Sequence, residues 1–341
     1  MAQPDHKTTS PLAIEGSITS GAQAQAPRVP ARIMRRLGAG LLLAAALLAP
    51  ALSQKTASPF VGRWNFNIAE MRASWLGVTE KNGALEVWYQ PTGGNVYQLK
   101  DFRVDGGRLI MTLSQASETR AATTWELEAA GDKLSGVRRR GQTTAALTGV
   151  RAPALKRDAP RAWTDPEPLF NGRNLDGWEP IGNPANSHWV AKDGLLINED
   201  HGANLKSTRK LDDFKLHFEV NCPDRANSGF YLRGRYEVQL EYELLSDNPV
   251  ERRIGSIYGR ITPKADLPRT PGAWETFDVT LVGRTVTIVR NGVTTIDHQE
   301  IEGITGGALD ANEGEPGPFY IQGDHTGGLK FRNITVSLPR R

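Results

Sequence analysis

Short segments in which apolar and polar residues alternate, separated by glycine-containing turns, recur along most of this chain. The clearest is residues 214–220, where phenylalanine, leucine, phenylalanine and valine occupy every second position. Side chains alternate between the two faces of a β-strand, so such a segment places its apolar residues on one face. Asp-Gly and Asn-Gly turns, within residues 105–107 and 290–293, join neighbouring segments as hairpins. No segment has convincing helical periodicity, and the pattern predicts an all-β protein.

The alternating segments fall into two groups, which predict two β domains. Residues 58–153 hold consecutive hairpins and predict a small antiparallel β-barrel or meander. Residues 164–339 hold a longer series and predict an antiparallel jelly-roll sandwich. Residues 154–163 combine charge with proline, lack periodicity and are expected to be a linker. Four tryptophans of the first domain are expected to fill its interior rather than stack on sugars: Trp64, Trp75, Trp88 and Trp125.

The amino-terminal residues predict export. Residues 34–53 combine Arg35 and Arg36, an apolar run of leucine and alanine, and small residues at a cleavage position, as secretory signal peptides do. The run is shorter than the roughly 20 apolar residues that span a bilayer, and no cysteine follows it, so no membrane anchor is expected. The expected location is the periplasm or the extracellular space. Residues 1–33 lack periodicity and are expected to be disordered, or to precede the true start at Met34.

The distribution of basic residues and the cysteine content bear on two classes of function. The formal net charge of the 341-residue chain is +3, which by itself argues neither for nor against nucleic acid. The basic residues are scattered rather than gathered in a phosphate-binding patch, and no nucleic-acid partner is expected. The single cysteine, Cys222, cannot form a disulfide within the chain, and no partner motif accompanies it as a nucleophile. Catalysis by Cys222 is therefore not expected.

One alternating segment carries two carboxylates and an amide on its polar face. In residues 236–241, Glu237, Gln239 and Glu241 share one face, and the other face is apolar. The polar face could meet water, as in an ordinary half-buried strand, or form the floor of a ligand groove. Arg233 would join this face if the strand continued through Gly234, but a bend at the glycine would separate the two halves.

Several motifs, in a fixed order, carry a resemblance to a known family. They are Leu-Phe-Asn-Gly-x-Asn-Leu-Asp-Gly-Trp (169–178), Asn-Ser-Gly-Phe-Tyr-Leu-Arg (227–233), Tyr-Glu-Val-Gln (236–239), Gly-Ser-Ile-Tyr (255–258), Gly-Ala-Trp-Glu (272–275), Val-Arg-Asn-Gly (289–292), Ile-Gln-Gly-Asp-His (321–325) and Phe-Arg-Asn-Ile (331–334). Together they resemble the 3-keto-disaccharide hydrolase family over about residues 165–338. The resemblance implies a concanavalin-like jelly roll and a secreted enzyme that acts on glycosides oxidised to a ketone at sugar carbon 3.

The implied reaction follows from the chemistry of that ketone. A ketone at C3 acidifies the hydrogen on C2, so a base can remove it, and the group on C1 departs by elimination before water adds to the double bond. The route needs a base, a donor to the developing enolate oxygen and an acid for the leaving group. It does not need two carboxylates at a fixed separation. A sugar 3-dehydrogenase is expected as the functional partner that supplies the ketone.

The predicted site residues come from the motifs of the second domain. Glu237, Glu241 and His325 are the predicted catalytic residues, acting as base or acid. The predicted substrate-binding residues are Asn227, Arg233, Gln239, Tyr258, Trp274, Gln322, Asp324 and Arg332. Structural alternatives stay open, namely a turn for Asn227 and Asp324, salt bridges for the arginines and core packing for the aromatic residues. No metal-ligand spacing is present, although a divalent metal held by a carboxylate and His325 stays open.

Two other functions fit the same fold. Concanavalin-like folds often only bind sugar, so a non-catalytic carbohydrate-binding module is the principal alternative. An ordinary endoglycosidase ranks last, because the chain lacks the Glu-x-Asp-x-x-Glu pattern of laminarinase-like sandwich enzymes. Turnover of an oxidised sugar would distinguish 3-keto-glycoside cleavage from both of these alternatives.

Overall fold

The computed structural model describes residues 57–68, 72–117, 119–242, 250–265 and 267–340. The predicted signal peptide at 34–53 and the residues before it lie outside this part of the chain. Residues Lys55–Arg341 form one compact unit. Its described residues form 22 β-strands and include 3₁₀ helices at Pro184–Asn186 and Val250–Arg252, so the predicted all-β class is confirmed. Within these residues, we find no helix long and apolar enough to cross a membrane.

The first nine strands form one antiparallel sheet, here called the barrel-like sheet. They are β1 Gly62–Ile68, β2 Arg72–Lys81, β3 Ala84–Gln90, β4 Tyr97–Leu99, β5 Phe102–Asp105, β6 Arg108–Ser114, β7 Thr123–Ala130, β8 Lys133–Arg140 and β9 Thr143–Arg151. Their order is β4-β3-β2-β1-β9-β8-β7-β6-β5, so every neighbouring pair except β1 and β9 is consecutive in sequence. The edge strands β4 and β5 are also consecutive, and the Tyr97 hydroxyl donates to the Leu113 carbonyl oxygen at 3.0 Å. The sheet therefore curls until its edges approach each other.

The interior of the barrel-like sheet is apolar. Trp64 and Trp125 are fully buried there, as predicted, and the Trp125 ring lies 5.0 Å from that of Phe66 between centroids. The prediction is wrong for Trp88, which is 38% exposed, because its neighbours in β3 take the inward-facing positions. Trp75 is buried, but it packs into the core of the second domain rather than inside the barrel-like sheet.

The remaining strands form two packed sheets, here called the sandwich. The eight-stranded sheet contains β10 Glu167–Pro168, β12 Trp189–Lys192, β13 Leu195–Asn198, β15 Phe214–Asn221, β18 Trp274–Val282, β19 Thr285–Arg290, β20 Val293–Glu300 and β22 Lys330–Ser337. The five-stranded sheet contains β11 Trp178–Pro180, β14 Leu205–Leu211, β16 Asn227–Leu232, β17 Tyr236–Glu241 and β21 Gly317–Ile321, in the order β11-β14-β21-β16-β17. Phe218 of the larger sheet stacks on Phe230 of the smaller, with ring centroids 4.5 Å apart. The core therefore lies between the two sheets, as the predicted jelly-roll sandwich requires.

Strand β17 is buried on both faces. Tyr236 and Leu240 point into the core between the sheets. Glu237, Gln239 and Glu241 point the other way, yet each is no more than 3% exposed. The polar face of this strand is thus covered by protein and does not meet bulk water.

The hairpin between β16 and β17 separates Arg233 from that polar face. Arg233 and Gly234 both have positive φ, 52° and 68°, so the chain turns at these residues. The strand therefore does not run continuously through Gly234. The alternative in which Arg233 shares a face with Glu237 is wrong.

The barrel-like sheet rests directly against the sandwich. The Arg260 guanidinium carbon lies 4.3 Å from the centre of the Trp75 ring, and Asn65 Nδ2 donates to Glu313 Oε2 at 2.9 Å. The start of the predicted linker contacts the sandwich, because Arg284 donates to the Ala154 carbonyl oxygen at 3.2 Å. The boundaries proposed at 153 and 164 stay predictions.

Replacing Trp75 by alanine should lower the free energy of unfolding by about 3 kcal/mol or more, because it empties a buried aromatic site where the two parts meet. Trp88→Ala is the matched control, since Trp88 lies in the adjacent strand and is partly exposed. Urea denaturation of both variants measures the difference. Equal losses would show that Trp75 adds no packing of its own.

Candidate active site

A cavity of about 260 Å³ lies over the polar face of β17. It is on the side of the five-stranded sheet that faces away from the sandwich core, because the alternate residues of β16 and β17 fill that core. Seven predicted site residues line this cavity: Asn227, Glu237, Gln239, Tyr258, Gln322, Asp324 and His325. The rest of the lining comes from Tyr231, Tyr320, Gly306, Gly307 and residues 92–94 of the barrel-like sheet.

The strand register places the floor of the cavity. Tyr231 of β16 lies opposite Glu237 of β17 and Tyr320 of β21. The two tyrosine rings stack with centroids 3.9 Å apart. Gly229 is essential to this packing, because a Cβ atom at that position would lie 2.2 Å from Glu237 Oε1. The glycine lets the Glu237 carboxyl group lie flat over the neighbouring strand.

The Glu237 carboxyl group belongs to a buried hydrogen-bond network. The Tyr231 hydroxyl lies 2.7 Å from Glu237 Oε2 and 2.7 Å from the Gly306 carbonyl oxygen. The Gln322 amide nitrogen donates to the same hydroxyl at 3.1 Å. Burial raises the pKa of Glu237 from its ordinary 4.5 to about 8, while the Tyr231 hydroxyl and His325 act in the opposite direction. Glu237 is therefore mostly protonated at neutral pH.

Proton counting supports a neutral Glu237. Tyr231 has one hydroxyl proton, and the Gly306 carbonyl can only accept. When Tyr231 donates to Gly306, the tyrosine oxygen can accept from both Gln322 and a protonated Glu237. An ionised Glu237 would compete with Gly306 for the same proton.

His325 and Asp324 form an imidazole–carboxylate pair at the cavity. His325 Nδ1 lies 2.9 Å from Asp324 Oδ1, and Asn204 Nδ2 donates to Asp324 Oδ2 at 3.1 Å. Burial alone would raise the pKa of Asp324, but the contacts with His325, Asn204 and its own backbone N–H outweigh burial and lower that pKa. An ionised Asp324 therefore fixes the orientation of the imidazole through its Nδ1 atom.

Two buried amide oxygens on the cavity wall have no partner among the described residues. They are Gln239 Oε1 and Gln322 Oε1, and both side chains are less than a tenth exposed. Leaving a buried acceptor unpaired costs about 1–3 kcal/mol, so such oxygens favour a ligand with hydroxyl donors.

The structure does not bring Glu241 or Arg233 to this cavity, which corrects both predictions. Glu241 is four residues from Glu237 along the strand and lines a separate cavity, of about 520 Å³, with Arg269 and Arg290. Arg233 is buried at the hairpin turn, where it donates to Asp212 at 2.9 Å and to the Gly283 carbonyl oxygen at 2.6 Å. Arg233 is thus engaged in holding the turn.

Trp274 and Arg332 also lie elsewhere, and their predicted contacts with substrate need the same correction. The Arg332 guanidinium carbon lies 4.0 Å from the centre of the Trp274 ring, and Arg332 Nε donates to Glu219 Oε2 at 2.7 Å. All three residues belong to the eight-stranded sheet. They form a cation–π and salt-bridge cluster on its outer face, because the alternate residues of β15 point into the core.

The sequence reasoning missed Tyr231, Tyr320 and the two glycine-containing segments of the lining. Tyr231 could have been found, because it alternates with Asn227 and Gly229 on the strand paired with β17. Gly306 and Gly307 carry only a turn signal in the sequence. Residues 92–94 belong to the other domain, and no pattern in the sequence indicates that they reach this site.

Metal binding finds no support in the side-chain geometry. Across the described ranges, no group of three or more His, Cys, Asp or Glu side chains is arranged to hold a metal ion.

Residues 165–337 match the family described as the 3-keto-alpha-glucoside-1,2-lyase-like domain. The chain belongs to this family. No curated protein matches the chain. The match covers the sandwich, including every residue of the cavity except the three from the barrel-like sheet. A 3-keto-alpha-glucoside-1,2-lyase-like domain identifies the chain as a carbohydrate-active protein.

Several solved structures are similar to about half of the chain. A candidate glycosyl hydrolase of Parabacteroides distasonis is 28% identical, with a TM-score of 0.43, and the match covers 53% of this chain and 92% of that one. A second such protein from the same organism is 18% identical, with a TM-score of 0.43 and coverage of 51% and 92%. The carbohydrate-binding module CBM66 of Bacillus subtilis is 13% identical, with a TM-score of 0.31 and coverage of 48% and 96%. The assignment to the family rests on the sequence match.

Glu237→Gln should stabilise the protein at neutral and alkaline pH. Above the pKa of an unfolded glutamate, the unfolded chain loses a proton that the folded chain retains, so wild-type stability falls as the pH rises towards about 8. Glutamine mimics the neutral acid and removes this cost, which is about 3 kcal/mol near pH 7 at roughly 1.4 kcal/mol per pKa unit.

Urea denaturation of wild type and Glu237→Gln at pH 5, 7 and 8.5 checks this expectation. The gain should be smallest at pH 5 and should level off above pH 8. A gain that does not vary with pH would contradict a neutral, buried Glu237.

Proposed function

We propose that the chain cleaves 3-keto-glycosides by removing the C2 proton, expelling the group on C1 and adding water to the resulting double bond. The observation that carries the proposal is the pairing, in one cavity, of a neutral buried carboxyl group with an imidazole held by a carboxylate. This elimination requires a proton donor and a proton acceptor in the same cavity.

The elimination begins at His325. Nε2 of the imidazole takes the proton from C2, and the electrons of the C2–H bond form the C1=C2 double bond as the C1–O bond breaks. Neutral Glu237 gives its proton to the departing oxygen. The Gln239 amide nitrogen donates to the C3 oxygen, on which negative charge develops. The enzyme is left with an imidazolium at His325 and a carboxylate at Glu237.

Hydration reverses these roles and restores the starting state. The Glu237 carboxylate takes a proton from water as the water oxygen bonds to C1, and the imidazolium returns its proton to C2. The sum of the two stages is hydrolysis, and release before the second stage makes the enzyme a lyase. Asp324 stays ionised throughout and orients the imidazole.

The cavity supports a single sugar ring as the group that is held. Its volume of about 260 Å³ is at the lower end of the range of roughly 300–1,000 Å³ that is usual for ligand pockets. The unpaired oxygens of Gln239 and Gln322 suit donation from sugar hydroxyl groups. A long polysaccharide segment would need an open groove instead.

Hydrogen bonding to Asp324 argues against an ordinary glycosidase. Such an enzyme would use Glu237 as acid and a second carboxylate as base or nucleophile. Asp324 contacts His325 with one oxygen and Asn204 with the other, so it is placed to orient the imidazole. A non-catalytic binding module would gain nothing from a buried carboxyl group whose pKa lies near 8.

We also propose how the substrate is supplied and where the protein is located. Unoxidised glycosides have no acidic hydrogen at C2, so a sugar 3-dehydrogenase must act before this enzyme. The signal-like residues 34–53 favour export to the periplasm or beyond.

Glu237→Gln and His325→Ala should each lower kcat/KM on a 3-keto-glucoside by about 10²–10⁴-fold, because each removes a proton-transfer group. Glu241→Gln is the matched control, since it makes the same change on the same face of the same strand but outside the cavity. Its activity should stay near that of wild type, with circular dichroism used to confirm folding. Equal losses in all three variants would reject the assigned roles.

The choice of substrate tests the reaction class. Wild type should release product from a 3-keto-glucoside and none from the unoxidised glucoside, and deuterium at C2 should slow the reaction. Turnover of the unoxidised glucoside without an isotope effect would indicate an ordinary glycosidase. Binding without turnover would indicate a carbohydrate-binding module.

Activity should fall as the pH rises through about 8, because elimination needs the neutral form of Glu237. A kcat/KM profile on the 3-keto-glucoside between pH 5 and pH 10 measures this limb. The residual activity of Glu237→Gln should not show this fall at alkaline pH. An alkaline limb that persists in this variant would assign the titration to another group.

A further inference from the structure

We propose that the barrel-like sheet supplies one wall of the active-site cavity and thereby determines which groups on C1 the site accepts. The wall is the turn between β3 and β4, residues 91–95, here called the glycine turn. Thr92, Gly93 and Gly94 line the cavity together with Glu237 and His325. This inference rests on the proposed function and extends it to specificity.

The glycine turn touches the sandwich through its backbone. The Gly307 amide donates to the Thr92 carbonyl oxygen at 2.8 Å. A Cβ atom on Gly306 would lie 2.3 Å from the Gly94 carbonyl oxygen, closer than such atoms can approach. Glycine at position 306 therefore allows the two backbones to meet, and the barrel-like sheet closes this side of the cavity.

The turn is held in one shape by a buried side chain. Gln90 Nε2 donates to the carbonyl oxygens of Pro91 and Gly94, at 3.0 and 2.8 Å. Gln90 is itself buried at the end of β3. A turn fixed in this way can exclude a ligand group rather than move aside for it.

The turn lies beside the proposed acid. The Tyr231 hydroxyl contacts Glu237 Oε2 and the Gly306 carbonyl oxygen, each at 2.7 Å, and Gly306 packs on Gly94. Glu237 protonates the group that leaves C1, so that group departs on the side of the cavity nearest to Gly306. It therefore lies against the glycine turn.

The chemistry of the turn suits a hydroxylated group. Gly93 and Gly94 offer no side chain, and a Cβ atom built on either meets no atom within 4 Å, so there is open space beside them. Within the described part of the chain, their backbone N–H groups donate to no backbone carbonyl oxygen. Backbone amides of this kind can bind oxygen atoms of the group on C1.

A series at Gly93 tests the inference, because this glycine does not have the positive φ of Gly94 and accepts a side chain without backbone strain. The variants are Gly93→Ser and Gly93→Trp, and the substrates are methyl 3-keto-glucoside and a 3-keto-disaccharide. Gly93→Trp should lower kcat/KM on the disaccharide by about tenfold or more, as filling a pocket does. Gly93→Ser should have a smaller effect, and turnover of the methyl glycoside should change little in both variants.

Ala84→Trp is the matched control, because Ala84 is exposed at the opposite end of β3. It should leave both substrates unaffected, and urea denaturation should give all variants similar stability. Equal losses on both substrates, or no loss on either, would overturn the inference while the proposed function stood.

A second measurement does not depend on activity. Gly93→Trp should slow the reaction of His325 with diethyl pyrocarbonate relative to exposed His298, measured by mass spectrometry. If wild type turned over no 3-keto-glycoside, the proposed function would fall, and this ratio would still decide whether the turn borders the cavity. An unchanged ratio of the His325 and His298 reaction rates would show that the glycine turn is not a wall of the cavity.

Discussion

The burial of β17 on both faces is the constraint on which the rest of the site depends. An edge strand of an antiparallel sheet ordinarily keeps a polar face in water. Here Tyr236 and Leu240 point into the sandwich core, while Glu237 and Gln239 are covered by loops and by the barrel-like sheet. A carboxyl group in that position is neutral at physiological pH, because burial penalises its charged form. The folding cost of this burial and the raised pKa of the carboxyl group have the same physical origin.

The site is assembled from parts of the chain that are far apart in sequence. The sandwich contributes Glu237, the His325–Asp324 pair and the amides of Gln239 and Gln322, and all of them lie on or just after three adjacent strands. The barrel-like sheet contributes Thr92, Gly93 and Gly94, which line one side of the cavity. Such a division fits the proposed reaction centre, with part of its boundary set by an attached module. Trp75 and the contact of Asn65 with Glu313 hold the barrel-like sheet against the sandwich.

The sequence predicts the fold well because alternation is a local signal. It identifies the strand at 214–220 and places Glu237 and Gln239 together, since both depend on residues two positions apart. It cannot decide which face of a sheet is covered, so Trp274 and Arg332 were grouped with a cavity on the opposite side of the sandwich. It also cannot reveal where β17 leaves the cavity, which separates Glu241 from Glu237. The contribution of residues 92–94 depends on docking between domains, which no local pattern encodes.

The fit of Gly229 under Glu237 has a consequence for how this site can change over evolutionary time. A side chain at 229 would occupy the space of the carboxyl oxygen, so the two positions cannot vary independently. If a shorter residue first replaces glutamate at 237, position 229 becomes free to accept alanine or serine. If alanine or serine first replaces glycine at 229, the new side chain displaces the Glu237 carboxyl group. Relatives that keep glutamate at 237 should therefore also keep glycine at 229. Gly229 has no functional group of its own, yet its presence is tied to the presence of the glutamate at 237.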